Sequence, residues 1–220
     1  MSQTKVNLQS FKSVAGEEVA GQERVFADAA IQKLQAIVND NLFIEDVLKG
    51  NYSRARFETE RFGVFKDPIK NEEIVEVIKT GKEQVSPADN EIDLKVKLAD
   101  DLGDDILGST PPRALEFRTN VNFFKRWFNE NPKDSLSLAA HWMHEWLHVT
   151  GFRHVKVNRK PDYNDAVYKI GRYVVAAGKR LASTEGIAPV EVEAMGAGYL
   201  EFYNENNNID EGQQFIDEDI

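Results

Sequence analysis

Apolar residues recur along this chain with two different periods, and the alternation of the two sets out a mixed fold. From Gln22 to Val38, Val25, Phe26, Ala29, Ala30, Leu34, Ile37 and Val38 share one broad face. That spacing predicts a helix that packs on a sheet, ended by Asn39 to Asn41. Phe43 to Leu48 predicts a short helix. Asn71 to Thr80 predicts another, with Ile74, Val75 and Ile78 inward and Gly81 as its stop. Arg54 to Phe65 reads as a strand or hairpin with Gly63 at its turn. Ile92 to Leu98 alternates apolar and charged residues strictly, which predicts a strand with one wet face. Ile106 to Thr110, ended by Pro111-Pro112, is a second strand. Ala114 to Phe124 is a third, with Leu115, Phe117, Val121 and Phe123 alternating. Leu138, Ala139, Met143 and Trp146 or Leu147 give apolar faces to a helix begun by Asp134 or Ser135 after Pro132. Asn164 to Leu181 carries Val167, Ile170, Val174 and Ala177 in one stripe. Lys179 and Arg180 fall in its last turn, where cations suit the helix dipole. The order predicts an α+β domain, with long helices backing one face of a mixed, twisted sheet.

Composition adds boundaries. The 220 residues suit one domain with extensions. Residues 1–19 are polar with scattered glycine and read as a flexible N-terminal arm. Residues 20–183 hold the predicted elements. Residues 184–220 contain ten acidic side chains and no Lys or Arg, so they carry the whole formal net charge of −10. They read as an acidic tail that is disordered or docks on the chain itself or on a partner. Without a basic patch, nucleic acid is a poor partner. No apolar run suits a signal peptide or a bilayer span, so the expected setting is cytoplasmic or virion-associated, away from membranes. The chain has no cysteine, which excludes disulfides and thiolate metal ligands. The acidic run Asp100 to Asp105 lacks the ligand spacing of a calcium loop and reads as a solvated turn.

All four histidines lie between His141 and His154. His144, Glu145, His148, Gly151 and His154 spell H-E-x-x-H-x-x-G-x-x-H. Residues four apart lie one turn above each other on a helix, so His144 and His148 can aim two imidazoles at one ion. Glu145 leaves the helix about 100° further round, beside the ion rather than on it. Gly151 supplies the left-handed residue that ends the helix and returns His154 as a third ligand. Three protein ligands and one open position are the pattern of a catalytic zinc site. His141, three residues before His144, reads either as a residue near the metal or as a supporting or solvated histidine.

This motif resembles the long zinc signature of the metzincin metallopeptidases. A looser similarity spans about residues 90–182. Ile-Leu-Gly-Ser-Thr-Pro, then Asn-Val-Asn-Phe-Phe, then the zinc helix, then Asp-Ala-Val-Tyr-Lys-Ile-Gly looks like small bacterial and phage zincin-like proteins. The resemblance implies a zincin-like fold with an active-site helix and a C-terminal helix. It implies Zn2+ on His144, His148 and His154, with Glu145 as general base. It makes Leu107, Gly108 and Ser109 the sheet edge that binds an extended protein or peptide substrate. Metzincins also carry a methionine turn beneath the zinc. Here either Met195 or the stretch Asp165-Ala166-Val167-Tyr168 supplies that floor. Tyr168 takes the place of a tyrosine that in some members touches zinc or the oxyanion, or else is a plain helix aromatic.

The expected function is therefore a zinc-dependent metalloendopeptidase. The alternative is a non-enzymatic, zinc-stabilised structural or binding protein on the same frame, for example a phage or assembly component. A third reading is an enzyme inhibited by its own acidic tail. Trp127, Trp142 and Trp146 read as either core or cleft residues.

Overall fold

The structure, a computed structural model, describes residues 3–130, 133–154, 156–157 and 160–206. The chain opens with strand β1 (Lys5–Lys12), helices α1 (Gly21–Val38) and α2 (Asn41–Leu48), and the short strands β2 (Arg56–Glu58) and β3 (Phe65–Lys66). Helix α3 (Asn71–Thr80) leads to β4 (Glu91–Ala99), β5 (Gly108–Ser109) and β6 (Glu116–Asn120). Then come α4 (Val121–Asn129), α5 (Ser135–Thr150), β7 (Phe152–Arg153), β8 (Lys156–Val157) and β9 (Lys160–Pro161). Helices α6 (Ala166–Thr184), α7 (Pro189–Ala194) and α8 (Ala197–Asn206) follow.

The main sheet has the order β1-β4-β6-β5 and is mixed. β1, β4 and β6 run parallel, and β5 closes one edge antiparallel to β6. Ile92, Leu94, Val96 and Leu98 of β4 point into the core, as the alternation predicts. On the wet face Glu91 pairs with Lys5 at 3.0 Å and Glu116 with Lys12 at 3.0 Å. Exposed pairs of this kind add only ~0.2–1 kcal/mol each; the buried face holds the sheet. Helices α1 and α5 cover that face. There Phe11 of β1 meets Phe124 and Trp142 edge to face at 5.4 and 5.7 Å. The architecture is α+β with a mixed sheet and backing helices. Among the described residues no helix is long and apolar enough to cross a membrane.

Two expectations need correction. Residues 1–19 are not a free arm, because Lys5–Lys12 forms β1 and buries Val6 and Phe11. A register shift between Leu8 and Ser10 breaks the period of two, so the apolar positions do not alternate in sequence. Ala114 to Phe124 is not one strand. It divides at Asn120, whose side chain accepts from the Asn122 N–H at 2.9 Å and caps α4. Val121, Phe124 and Trp127 then follow the helical spacing into the core.

Of the two readings of the acidic tail, residues 184–206 follow the docking one. They form α7 and α8, and Tyr199 and Tyr203 join the same core as Val6 and Phe26. Asp134 explains the docking. As N-cap of α5 it accepts from the Ser137 N–H at 3.0 Å, and also from Gly196 N at 2.8 Å and Gly198 N at 3.3 Å. The Ser137 hydroxyl accepts from Tyr199 N at 2.8 Å. The start of α8 is thus tied to the first turn of α5. The rest of that tail, 207–220, and the proline at 132 lie outside the described residues.

Candidate metal centre

Helix α5 runs through the core, with His144 and Glu145 buried and His148 half-buried. Trp127, Trp142 and Trp146 are fully buried and belong to the core, not to a cleft. The helix ends at Gly151, whose φ of 117° few other residues adopt. A side chain there would also stand 2.5 Å from the Glu58 carbonyl oxygen. From Gly151 the chain turns through β7, paired with β2, and delivers His154. Arg153 anchors this return. Its guanidinium meets Glu58 at 2.8 Å and donates to the carbonyls of His148 and Phe152 at 2.9 and 3.0 Å. Burial pushes the Glu58 carboxyl up, but hydrogen bonds from Gly63, Gln84 and Arg153 outweigh it and hold the group below its ordinary range.

His144, His148 and His154 come together, and one ring nitrogen of each lies within 4.8 Å of the others. Each ring is held at Nδ1. His148 Nδ1 lies 2.9 Å from the Phe152 carbonyl oxygen, and His154 Nδ1 lies 3.0 Å from Asp165 Oδ2. His144 Nδ1 lies 3.2 Å from the Tyr199 hydroxyl. Carbonyl and carboxylate oxygens only accept, so His148 and His154 carry their protons on Nδ1. Their Nε2 atoms nevertheless approach to 3.1 Å. Two bare lone pairs that close repel unless a cation or a proton lies between them. Burial, with the neighbouring His154, pushes His148 well below its ordinary pKa, so a proton is a poor solution. His144 is pushed well down too, by burial and then by His154, His148 and His141. Two nitrogens bound tetrahedrally to zinc at ~2.05 Å stand ~3.3 Å apart, close to the spacing found. Neutral imidazoles with Nδ1 anchored and Nε2 converging fit a divalent metal ion.

Glu145 sits beside this cluster. Its Oε2 accepts from the Thr110 hydroxyl at 2.7 Å, and Oε1 lies 3.8 Å from His141 Nδ1. Burial pushes its carboxyl up to about 7, with the Thr110 hydrogen bond and His154 pulling the other way. A cation in the site would pull it further down. β5 passes directly over this carboxylate. A Cβ on Gly108 would stand 2.9 Å from Glu145 Oε1 and 2.5 Å from both the Arg118 carbonyl oxygen and His141 Cε1.

Of the expected edge residues, Leu107 turns its side chain into the core at 3% exposure. Its carbonyl accepts from Asn120 N. Gly108 and Ser109 form β5, and no other described strand pairs with its outer edge. The Ser109 hydroxyl is held by Arg118 Nε at 3.2 Å. His141 is not among the converging histidines. It is completely buried, with Nε2 3.2 Å from the Thr119 hydroxyl.

The ring of Tyr168 lies flat on His154 at 4.2 Å between centroids, and the Tyr203 ring lies nearly parallel to His144 at 5.8 Å. The site therefore holds residues that spacing in the motif does not reveal: Thr110, Asp165, Tyr199 and Tyr203. Asp165 stands immediately before the helical stripe of α6, which is an N-cap signal. Tyr199 and Tyr203 stand four apart, which is a helical one. Compared with protein-family models, with curated proteins and with solved structures, the chain matches none.

Proposed function

We propose that this protein is a zinc-dependent metalloendopeptidase of the metzincin type, with His144, His148 and His154 as metal ligands. The observation that carries the reading is the approach of the His148 and His154 Nε2 atoms to 3.1 Å while both Nδ1 atoms are engaged elsewhere. An imidazole set suits several transition-metal ions, zinc among them, and three histidines with one open position are the pattern of catalytic zinc. Zinc, when bound, supplies Lewis acidity to a peptide carbonyl and lowers the pKa of water toward ~7.

The chain's own residues do the rest. Glu145 takes the proton of the attacking water and afterwards gives it to the leaving amine. Thr110 holds one oxygen of that carboxylate at 2.7 Å. The main chain of Gly108 and Ser109 offers an open strand edge beside it, where an extended peptide adds as a further strand. This arrangement supports a zincin-like fold, in which an antiparallel edge strand borders the active-site helix. Tyr168 and Tyr203 stack on two of the ligand rings, His154 and His144, and help to fix their orientation. A carboxylate buried next to the cluster favours an enzyme over a purely structural site, which needs no base.

The test is cleavage of unfolded casein by the zinc-loaded protein, with and without a chelator. Glu145→Gln should retain zinc and lose ~10²-fold or more in kcat. A Glu145→Gln protein that cleaves at the wild-type rate would overturn the assignment.

A further inference from the structure

His141 is buried beside Glu145, and its protonation pattern follows from its neighbours. Trp142 Nε1 donates to the Thr119 hydroxyl oxygen at 3.1 Å, because an indole N–H can only donate. The same hydroxyl lies 3.2 Å from His141 Nε2. The hydroxyl oxygen has a second lone pair, and its own hydrogen is free to go to His141 Nε2 as acceptor. The Glu145 carboxylate on the other side of the ring selects that arrangement, which leaves the single proton of His141 on Nδ1. That atom makes no hydrogen bond within the structure and faces Glu145 Oε1 at 3.8 Å. The opposite tautomer would set a lone pair against a carboxylate in a site closed to water, which is electrostatically unfavourable.

We propose that His141, as the neutral Nδ1–H tautomer that accepts from Thr119, is a positioning residue for Glu145. The inference rests on Glu145 acting as the general base. Thr110 holds Oε2 by a hydrogen bond, and the His141 N–H faces Oε1 across 3.8 Å as an electrostatic partner. Gly108 closes the space over both groups, since a Cβ there would press on His141 Cε1 and Glu145 Oε1 alike. His141 is neither a ligand nor a proton carrier. It fixes the rotation of the carboxylate, so that deprotonation of water needs no reorganisation. A histidine here thus has a part that a leucine of similar volume would not have.

Ring 15N NMR of the intact zinc-loaded protein tests this directly, the His141 signals being assigned by their loss in His141→Asn. The expected pattern is a protonated Nδ1 and a bare Nε2. The His141 Nδ1 shift should move in Glu145→Gln, and the tautomer should become mixed in Thr119→Val. A protonated Nε2, or an Nδ1 shift indifferent to Glu145→Gln, would overturn the proposal. Activity gives a second readout from two polar variants. An Asn amide can replace the Nδ1–H, whereas a Gln amide reaches only the Nε2 position. His141→Asn should keep most of kcat, and His141→Gln should lose roughly tenfold, with KM and zinc content unchanged. Equal kcat in the two variants would contradict the positioning role. Should the wild-type protein cleave nothing, the peptidase reading falls, and the NMR readout still decides whether His141 and Glu145 are paired.

Discussion

Asp165 Oδ2 lies 3.0 Å from His154 Nδ1, while Oδ1 of the same carboxylate accepts from the Tyr168 backbone N–H at 3.1 Å. One side chain therefore starts α6 and orients the third ring of the cluster. Replacing it separates the two effects. Asp165→Ala should lower zinc affinity about 10–100-fold through loss of the acceptor behind His154. It should also cost about 1 kcal/mol of stability through loss of the cap. Asp165→Asn, which keeps a capping oxygen, should recover stability more fully than affinity. Competition against a chromophoric chelator and urea unfolding measure the two quantities, and unchanged affinity in Asp165→Ala would contradict the linkage.

Gly108 is required by what lies next to it, not by its backbone angle. A methyl group there meets the Arg118 carbonyl at 2.5 Å and the Glu145 carboxylate at 2.9 Å. The first contact is with backbone and cannot yield cheaply. Gly108→Ala should push β5 away from β6 or turn Glu145 aside, and overpacking of this kind costs about 1–3 kcal/mol. Zinc binding should survive, because none of the three imidazoles is among the atoms it would crowd. Wild-type stability and cleavage in Gly108→Ala would show that the strand does not press on the base.

Glu83 should make stability depend on pH in a direction opposite to the usual carboxylate. Burial pushes its carboxyl above the ordinary 4.5, although Trp146 Nε1 and Asp93 N both donate to it. Between the unfolded value and the raised folded one, the native state keeps a proton that the unfolded chain has released. Its contribution is thus fully present below the unfolded pKa and is lost as pH rises through the folded one. Glu83→Gln removes this dependence and keeps an acceptor for both donors. Relative to wild type it should gain stability as pH rises from the ordinary carboxylate range through the raised folded value, as read by urea unfolding. A difference independent of pH would contradict this.

Removal of α8 should disable the protein instead of releasing it. Tyr199 is completely buried and stands 3.2 Å from His144 Nδ1. A chain ending at Met195 loses this aromatic and leaves Asp134 without the Gly196 and Gly198 donors. Loss of a large buried aromatic costs about 3–5 kcal/mol. The truncated protein should melt lower and bind zinc more weakly. Higher cleavage with unchanged melting would instead favour an inhibitory tail.

What could be read in advance follows the range of the interactions. The clustering of the three histidines was legible because His144, His148, Gly151 and His154 are related by helix geometry and one tight turn. β4 was legible because its alternation is unbroken over Ile92 to Leu98. The first strand was missed because the irregularity between Leu8 and Ser10 removes the alternation that marks a strand. The division at Asn120 was missed because Val121 and Phe123 continue the period of the strand before them, and only the cap signal at Asn120 distinguishes the helix. Thr110, Tyr199 and Arg153 reach the site by tertiary pairing with Glu145, His144 and Glu58, across 35, 55 and 95 residues of chain. No local period encodes contacts over such separations. Tyr199 and Tyr203 stand out as aromatics in the acidic tail, but the polar residues around them carry no helical stripe that would place them on α8.

Zinc K-edge X-ray absorption on the loaded protein tests the central claim most directly. The account predicts one zinc per chain with three imidazole nitrogens at about 2.0–2.1 Å and a light oxygen donor in the remaining position. It also predicts one nitrogen fewer in His154→Ala and an unchanged nitrogen shell in Glu145→Gln. A spectrum with fewer than three imidazoles in the wild-type protein, or a protein that takes up no zinc, would contradict it.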